Sequence, residues 1–188
     1  MEVHEQQILE MLDAAVRNDM TRARIDRVVE AVEQKLARDS AARMAWQSIR
    51  LSLYVERLPP EVLSSWVFIL RAGATTGAER HPNSHQRVMS YRGTGDLQVR
   101  TAGRWCSHRL DSDPRAPLLD RWASIPANVW HQAVVPDENW VVVSFHTVED
   151  RELIEERPDE TDWEHTHQRR YLDMTKRETR SRDPHHPP

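Results

Sequence analysis

Residues able to do chemistry gather in one stretch, Gly73 to Gly93, GATTGAERHPNSHQRVMSYRG. Glu79 and His81 are two positions apart, so on an extended chain a carboxylate and an imidazole project from one face. Pro82-Asn83-Ser84 is turn material, and His85 and Gln86 open the run beyond it. A second, shorter stretch, Pro126 to His131 (PANVWH), ends in another histidine, with Asn128 able to take the positive φ of a tight turn. His146 stands in the apolar run Trp140–Thr147, on the same side as Val142 and Ser144 if that run is a strand. Imidazole and carboxylate are ligands for transition metals and also the usual general acids and bases. Other reactive residues have plainer readings. Cys106 is the only cysteine, which excludes an intrachain disulfide, and apart from His108 no base stands beside it. A structural role fits the burial habit of free cysteine. His165 and His167 form an H-x-H on a charged segment, where a metal site would need further convergent ligands.

Placed in register, the two stretches resemble the two half-motifs of the cupins, G-x5-H-x-H-x3–4-E-x6-G and P-x-G-x2-H. Gly73 opens the first half and Gly93 closes it; Glu79 stands where the family has its first histidine, His81 at the second, and Gln86 where the family has glutamate. In the second half Pro126 and His131 match, and Asn128 replaces the glycine. The resemblance covers roughly residues 62–157 and implies a mainly β fold, a single small RmlC-like cupin barrel (a double-stranded β-helix or jelly roll). It implies metal ligands at Glu79, His81 and His131, with Gln86 as a weaker ligand or a hydrogen-bonding neighbour. The shorter spacing that the family also tolerates lands on His85, which leaves a three-histidine set of His81, His85 and His131 open. Glu79 could instead pair with an arginine such as Arg71 or Arg80, in a cupin without metal. Two imidazoles and one carboxylate resemble the facial triad of non-haem iron oxygenases. The expected function is therefore a mononuclear iron oxygenase of dioxygenase type acting on a small organic molecule, with Fe(II) favoured and Zn, Mn or Ni as other divalent ions. The alternatives are a non-redox cupin isomerase or lyase and a non-catalytic small-molecule-binding cupin. Helices followed by one cupin loosely resemble the thiol dioxygenases, which carry a histidine where this chain has Glu79. Trp105, Trp122, Arg71 and His146 are the candidate substrate-pocket residues. Pairing through barrel edges implies a homodimer.

The elements that must position these residues are legible from punctuation and periodicity. No Gly or Pro occurs before Pro59, and both are the main helix interrupters. Three apolar stripes at helical spacing follow: Ile8, Met11, Leu12, Ala15; then Ile25, Val28, Val29, Val32, Leu36; then Ala42, Trp46, Ile49, Leu53. They predict three helices in an N-terminal segment, residues 1–60, with Thr21 and Ser40 as N-caps of the second and third. From Ser64 the period changes to that of strands, over Ser64–Gly73, Arg87–Tyr91, Leu97–Thr101, Trp122–Ile125, Gln132–Val135 and Trp140–Thr147. This is the barrel region, 61–157. A short helix is expected after Val148, the chain is expected to leave the barrel at Pro158, and residues 158–188 form a polar, partly disordered tail.

Charge excludes several classes of function. The formal net charge is −4 and the sequence pI about 6.2, and residues 1–58 hold 9 Lys/Arg against 10 Asp/Glu. A helix-turn-helix would need a basic face, so neither nucleic acid nor an anionic membrane is an expected partner. The N-terminus MEVHEQQILEMLDAA lacks the apolar core of a secretory signal, and no apolar run approaches bilayer length. With one cysteine, a cytoplasmic location is the expectation.

Overall fold

The structure is a computed structural model and describes residues 3–159 and 165–173. The stretch free of Gly and Pro begins with two helices, α1 (Val3–Arg17) and α2 (Asp19–Arg38). Asn18 divides them: its side-chain oxygen accepts the N–H groups of Met20 and Thr21 at 3.1 and 3.3 Å, satisfying donors that a helix start leaves orphaned. The N-cap of α2 is therefore Asn18 and not Thr21, whose hydroxyl accepts the N–H of Val55 instead. Leu9, Leu12, Ala15, Ile25, Val29, Val32 and Leu36 form one continuous buried face of the pair.

The third expected helix is corrected to a strand, β1 (Met44–Ile49), followed by a 3-10 turn at Leu51–Leu53. The stripe Ala42, Trp46, Ile49, Leu53 fits a helix locally. MAWQSI instead pairs along its whole length with β2 (Ser64–Leu70), Met44 opposite Leu70 and Ile49 opposite Ser65. That pairing satisfies the backbone groups of a fully buried strand, a requirement that outweighs helix propensity.

The remaining elements are β3 (Gln86–Arg92), β4 (Thr94–Thr101), β5 (Arg104–Cys106), β6 (Arg109–Asp111), the short helix α3 (Leu118–Arg121), β7 (Trp122–Ile125), β8 (His131–Val134), β9 (Trp140–His146), β10 (Ile154–Pro158) and β11 (Thr166–Arg170). A five-stranded antiparallel sheet runs β1-β2-β9-β3-β7. A second sheet has β4 at its centre, with β8 on one side and β5 and β6 on the other. The fold is mainly β with an N-terminal helical segment, as expected. The sheets face each other without closing into a continuous hydrogen-bonded barrel: Thr75–Val134, Glu79–His131 and Arg80–Glu156 are isolated bridges.

Parity along the strands sorts the core into two layers. Trp66, Phe68, Leu70, Val88, Trp140 and Val142 project between the sheets. Val67, Ile69, Met89, Val141, Val143 and Phe145 project from the opposite face into α1 and α2. The helices thus cover the outer face of the five-stranded sheet, which explains why β2 and β9 are buried at every residue. Gly95 lies flat against the Trp140 indole, where a Cβ would come within 2.1 Å of the ring.

The expected short helix after Val148 is a 3-10 turn, Asp150–Glu152, leading into β10. The chain does not leave at Pro158. β11 returns antiparallel, with Ile154 opposite Arg170, and Tyr171 is 2% exposed. This pair joins Glu155, Glu156 and Arg157 of the expected barrel region to Arg169 of the expected tail, whose polar composition hides the pairing until its charges are matched across strands. The part of the expected tail beyond residue 173 lies outside the described residues. No described helix is long and apolar enough to cross a membrane.

Candidate metal centre

Two turns and two bridges bring the chemical residues together. Gly73 and Gly93, which bound the first stretch, have φ of 72° and 85°, and Asn128 takes φ 67° in the second. Asn128 donates its N–H to the carbonyl of His81 at 2.9 Å, which pins the PANVWH turn to the first stretch. Glu79 exchanges both backbone hydrogen bonds with His131 at 2.9 and 2.8 Å, and Arg80 does the same with Glu156 at 3.0 and 2.9 Å. The Glu79–His81 segment is therefore held between β8 on one side and β10 on the other.

The donor atoms of Glu79, His81 and His131 all lie within 4.8 Å of one another, an arrangement that can hold one metal ion. Both imidazoles are locked in the tautomer this requires. His81 Nδ1 is 2.9 Å from the carbonyl of Ile154, and His131 Nδ1 is 3.1 Å from that of Val129. A carbonyl only accepts, so each Nδ1 carries the proton and each Nε2 is left with a lone pair. His131 Nε2 is buried and makes no hydrogen bond among the described residues; Glu79 Oε1 is 3.6 Å away. A buried polar atom without a partner calls for an explanation, and a cation between these groups supplies one. The residues present fit a divalent metal.

Glu79 Oε2 is engaged from below by Arg157, whose Nη2 donates at 2.6 Å. The expected rivals Arg71 and Arg80 are not its partners. Arg157 Nε donates in turn to Glu155 Oε1 at 2.5 Å, and Arg169 Nη2 donates to the same oxygen at 2.6 Å. The result is an alternating chain, Glu79–Arg157–Glu155–Arg169. Burial alone would raise the pKa of Glu79, but the charge of Arg157, paired with Oε2, acts against it and the carboxyl is held down at about 2. Burial, reinforced by His131, lowers the pKa of His81 to about 4. Near neutral pH Glu79 is thus ionised and His81 neutral, the states a metal needs. Burial and the charge of Glu79 push Glu155 upward.

Beside this group lies a cavity of about 40 Å³. Its walls are largely apolar, with Phe68, Leu70, Val88, Trp140 and Val142 among them, and Glu79, Gln86, His131 and Tyr171 reach into it. Tyr171 sits among Trp46, Trp66 and Phe68, with ring centroids 5.1 to 5.8 Å away.

The other expected residues are distributed differently. Gln86 faces the cavity from the start of β3. His85, one residue earlier, has the opposite parity; its Nε2 is 2.7 Å from Ser124 Oγ and 3.6 Å from Glu5 of α1, on the helix side of the sheet. The structure does not bring it to His81 and His131. His146 faces inward, its ring 5.2 Å from that of His81, with its nitrogens 3.3 and 3.2 Å from Ser84 and Ser144. Trp122 belongs to the helix-side layer and donates its Nε1–H to Asp13 at 2.9 Å. Arg71 clamps the end of α2 by donating to the carbonyls of Leu36, Asp39 and Ala42 at 2.8 to 2.9 Å. Trp105 sits on β5, at an edge of the second sheet and outside the cavity lining. Sequence reasoning missed Arg157 and Tyr171. The signal available was the alternation of acidic and basic residues around Glu155–Arg157 and the Tyr171-Leu172 pair in a largely polar segment.

No protein-family model and no curated protein matches the chain. Solved structures similar to it include cupin-fold proteins. Pumpkin seed globulin is 18% identical with a TM-score of 0.47, over 61% of this chain and 28% of that one. The capsular polysaccharide assembling protein CapF from Staphylococcus aureus is 15% identical with a TM-score of 0.45, over 69% and 32%. KdgF from Halomonas sp. is 15% identical with a TM-score of 0.42, over 60% and 87%. The chain thus spans less than a third of the globulin and of CapF. Likeness of this degree says nothing about ligand or activity.

Proposed function

We propose that this chain is a metal-dependent enzyme that holds one divalent ion on Glu79 Oε1, His81 Nε2 and His131 Nε2 and oxidises a small organic molecule, as a mononuclear non-haem iron oxygenase. The observation that carries the reading is the pair of histidines whose Nδ1–H groups are spent on backbone carbonyls, with the buried Nε2 of His131 left unpartnered beside a carboxylate oxygen. One carboxylate and two imidazoles are the donor set that suits non-haem Fe(II), and the bound ion would supply the redox chemistry with dioxygen. The chain's own residues do the rest. Arg157 occupies Glu79 Oε2 and so orients Oε1 toward His131. The carbonyls of Ile154 and Val129 fix both ring orientations, the usual task of residues behind a metal ligand. Phe68, Leu70, Trp140 and Val142 keep water from the face where substrate enters.

The test is metal analysis of protein purified without chelator, with oxygen consumption measured on the iron-loaded form. One equivalent of iron, lost in His81→Ala and in His131→Ala, is the expected result. Stoichiometric zinc with oxygen-independent turnover would shift the reading to a non-redox isomerase or lyase. Failure to take up any divalent ion would overturn it.

A further inference from the structure

We infer that Gln86 selects the substrate, by reading an O–H or N–H donor on a small and otherwise apolar molecule. The inference rests on the metal reading above for the site's chemistry, but its evidence is separate. Gln86 is 8% exposed, projects from β3 into the cavity, and its side-chain Oε1 makes no hydrogen bond among the described residues. Leaving a buried carbonyl oxygen unpaired is costly unless something else completes it.

Several neighbouring polar groups are already committed. The Thr76 hydroxyl donates to the Gly77 carbonyl and accepts the N–H of Ala133. Glu79 Oε2 is held by Arg157, and its other oxygen faces His131. Arg157 also donates to the Thr76 carbonyl and to Glu155, so its guanidinium is spent on the protein. Opposite Gln86 in the ladders stand His146 and Ile125, and the imidazole of His146 is held by Ser84 and Ser144. The carboxamide of Gln86 therefore shares the cavity with Tyr171 and His131, its Oε1 bonds to neither, and it otherwise meets apolar walls and whatever enters.

A carboxamide is both acceptor and donor. A metal would use its oxygen alone and leave the NH2 group unused. A substrate hydroxyl, or an N–H beside a carbonyl, can donate to Oε1 and accept from Nε2 together. The cavity of about 40 Å³ and its apolar walls set the rest of the class: one or two heavy atoms, the donor included.

The experiment compares methanol with fluoromethane, which has the same number of heavy atoms and no donor. Binding is followed by ligand-observed NMR on wild-type and Gln86→Leu protein, each metal-free and zinc-loaded. Wild type is expected to prefer the alcohol by about tenfold, the usual scale for an unmatched buried hydrogen-bonding group. Gln86→Leu is expected to abolish that preference while taking up metal at the wild-type stoichiometry. Loss of metal in Gln86→Leu would make Gln86 a ligand and overturn the inference, as would an unchanged preference in the variant or none in wild type. Should wild type bind no metal, the metal-free comparison still decides the role of Gln86 while the metal reading falls separately.

Discussion

His81 is a neutral imidazole enclosed beside a second imidazole and an ionised carboxylate, and that placement makes the protein sensitive to acid. Its pKa is lowered from 6.5 to about 4, and that of Glu79 from 4.5 to about 2. His146, lowered well below 6.5 by burial and by His81, acts in the same direction. In each case the folded state binds fewer protons than the unfolded chain, so unfolding takes up protons as the pH falls. Stability of the metal-free protein is expected to be full above about pH 6.5, to fall as the pH drops toward 4, and to fall further toward 2 as Glu79 titrates. His81 alone accounts for on the order of 3 kcal/mol over its interval. Urea unfolding in the presence of chelator at pH 7, 5.5 and 4.5 measures this, and a stability independent of pH across that range would contradict it. Metal affinity of the folded protein must weaken as the pH approaches 4, where protons begin to compete with metal for His81 Nε2.

At the scale of elements, side chains outside the cavity hold the parts that shape it. Arg71 donates three hydrogen bonds to carbonyls at the end of α2 and the turn after it. Arg71→Met leaves those carbonyls without their partner and is expected to cost about 2 kcal/mol in denaturant unfolding. Metal stoichiometry should remain unchanged, and a variant of full stability that loses metal would restore Arg71 to the site. Arg87 and Glu5 form a bidentate pair at 2.7 and 2.8 Å that ties α1 to β3. Gly95→Ala drives a methyl into the Trp140 indole. Overpacking of that kind costs roughly 1–3 kcal/mol, and Gly95→Ala should show it as a lowered thermal midpoint with altered near-UV circular dichroism from the displaced indole.

For the whole molecule, the chain seals its own sheet from both ends of the sequence. The helices cover one face, and the segment ending in Tyr171 fills the space between the sheets. Tyr171→Ala removes a ring packed on Trp46, Trp66 and Phe68 and is expected to destabilise the fold by about 3 kcal/mol. Tyr171→Phe should retain most of the stability, since the loss is one of packing. Guanidinium unfolding followed by tryptophan fluorescence distinguishes the two, and equal losses in both would place the energy in the hydroxyl instead. A chain lacking residues 1–40 exposes Val67, Ile69, Val141, Val143 and Phe145 on one sheet face. It should be recovered only as aggregate, because an open apolar face of that extent seeks a partner.

Local information in the sequence reached far in some places and stopped abruptly in others. Asn128, standing where the half-motif has glycine, marked a position able to take positive φ, and that φ is found. Residues two apart had to share a face, so Glu79 and His81 came together, and the opposite parity of His85 and Gln86 was already present in their adjacency. Absence of Gly and Pro determined α1 and α2, whose length carries a sustained period. Helix or strand for residues 44–49 was not decided locally, because a six-residue run satisfies either period and only the open edge of β2 selects one. Which face of a strand is interior was equally open, and that choice sent Gln86 and His146 inward and His85 and Trp122 toward the helices. Arg157 reached Glu79 across 78 positions of sequence, and no periodicity encodes a contact of that separation. The carboxylate in the half-motif was legible from the chain; the arginine that orients it was supplied by the tertiary fold.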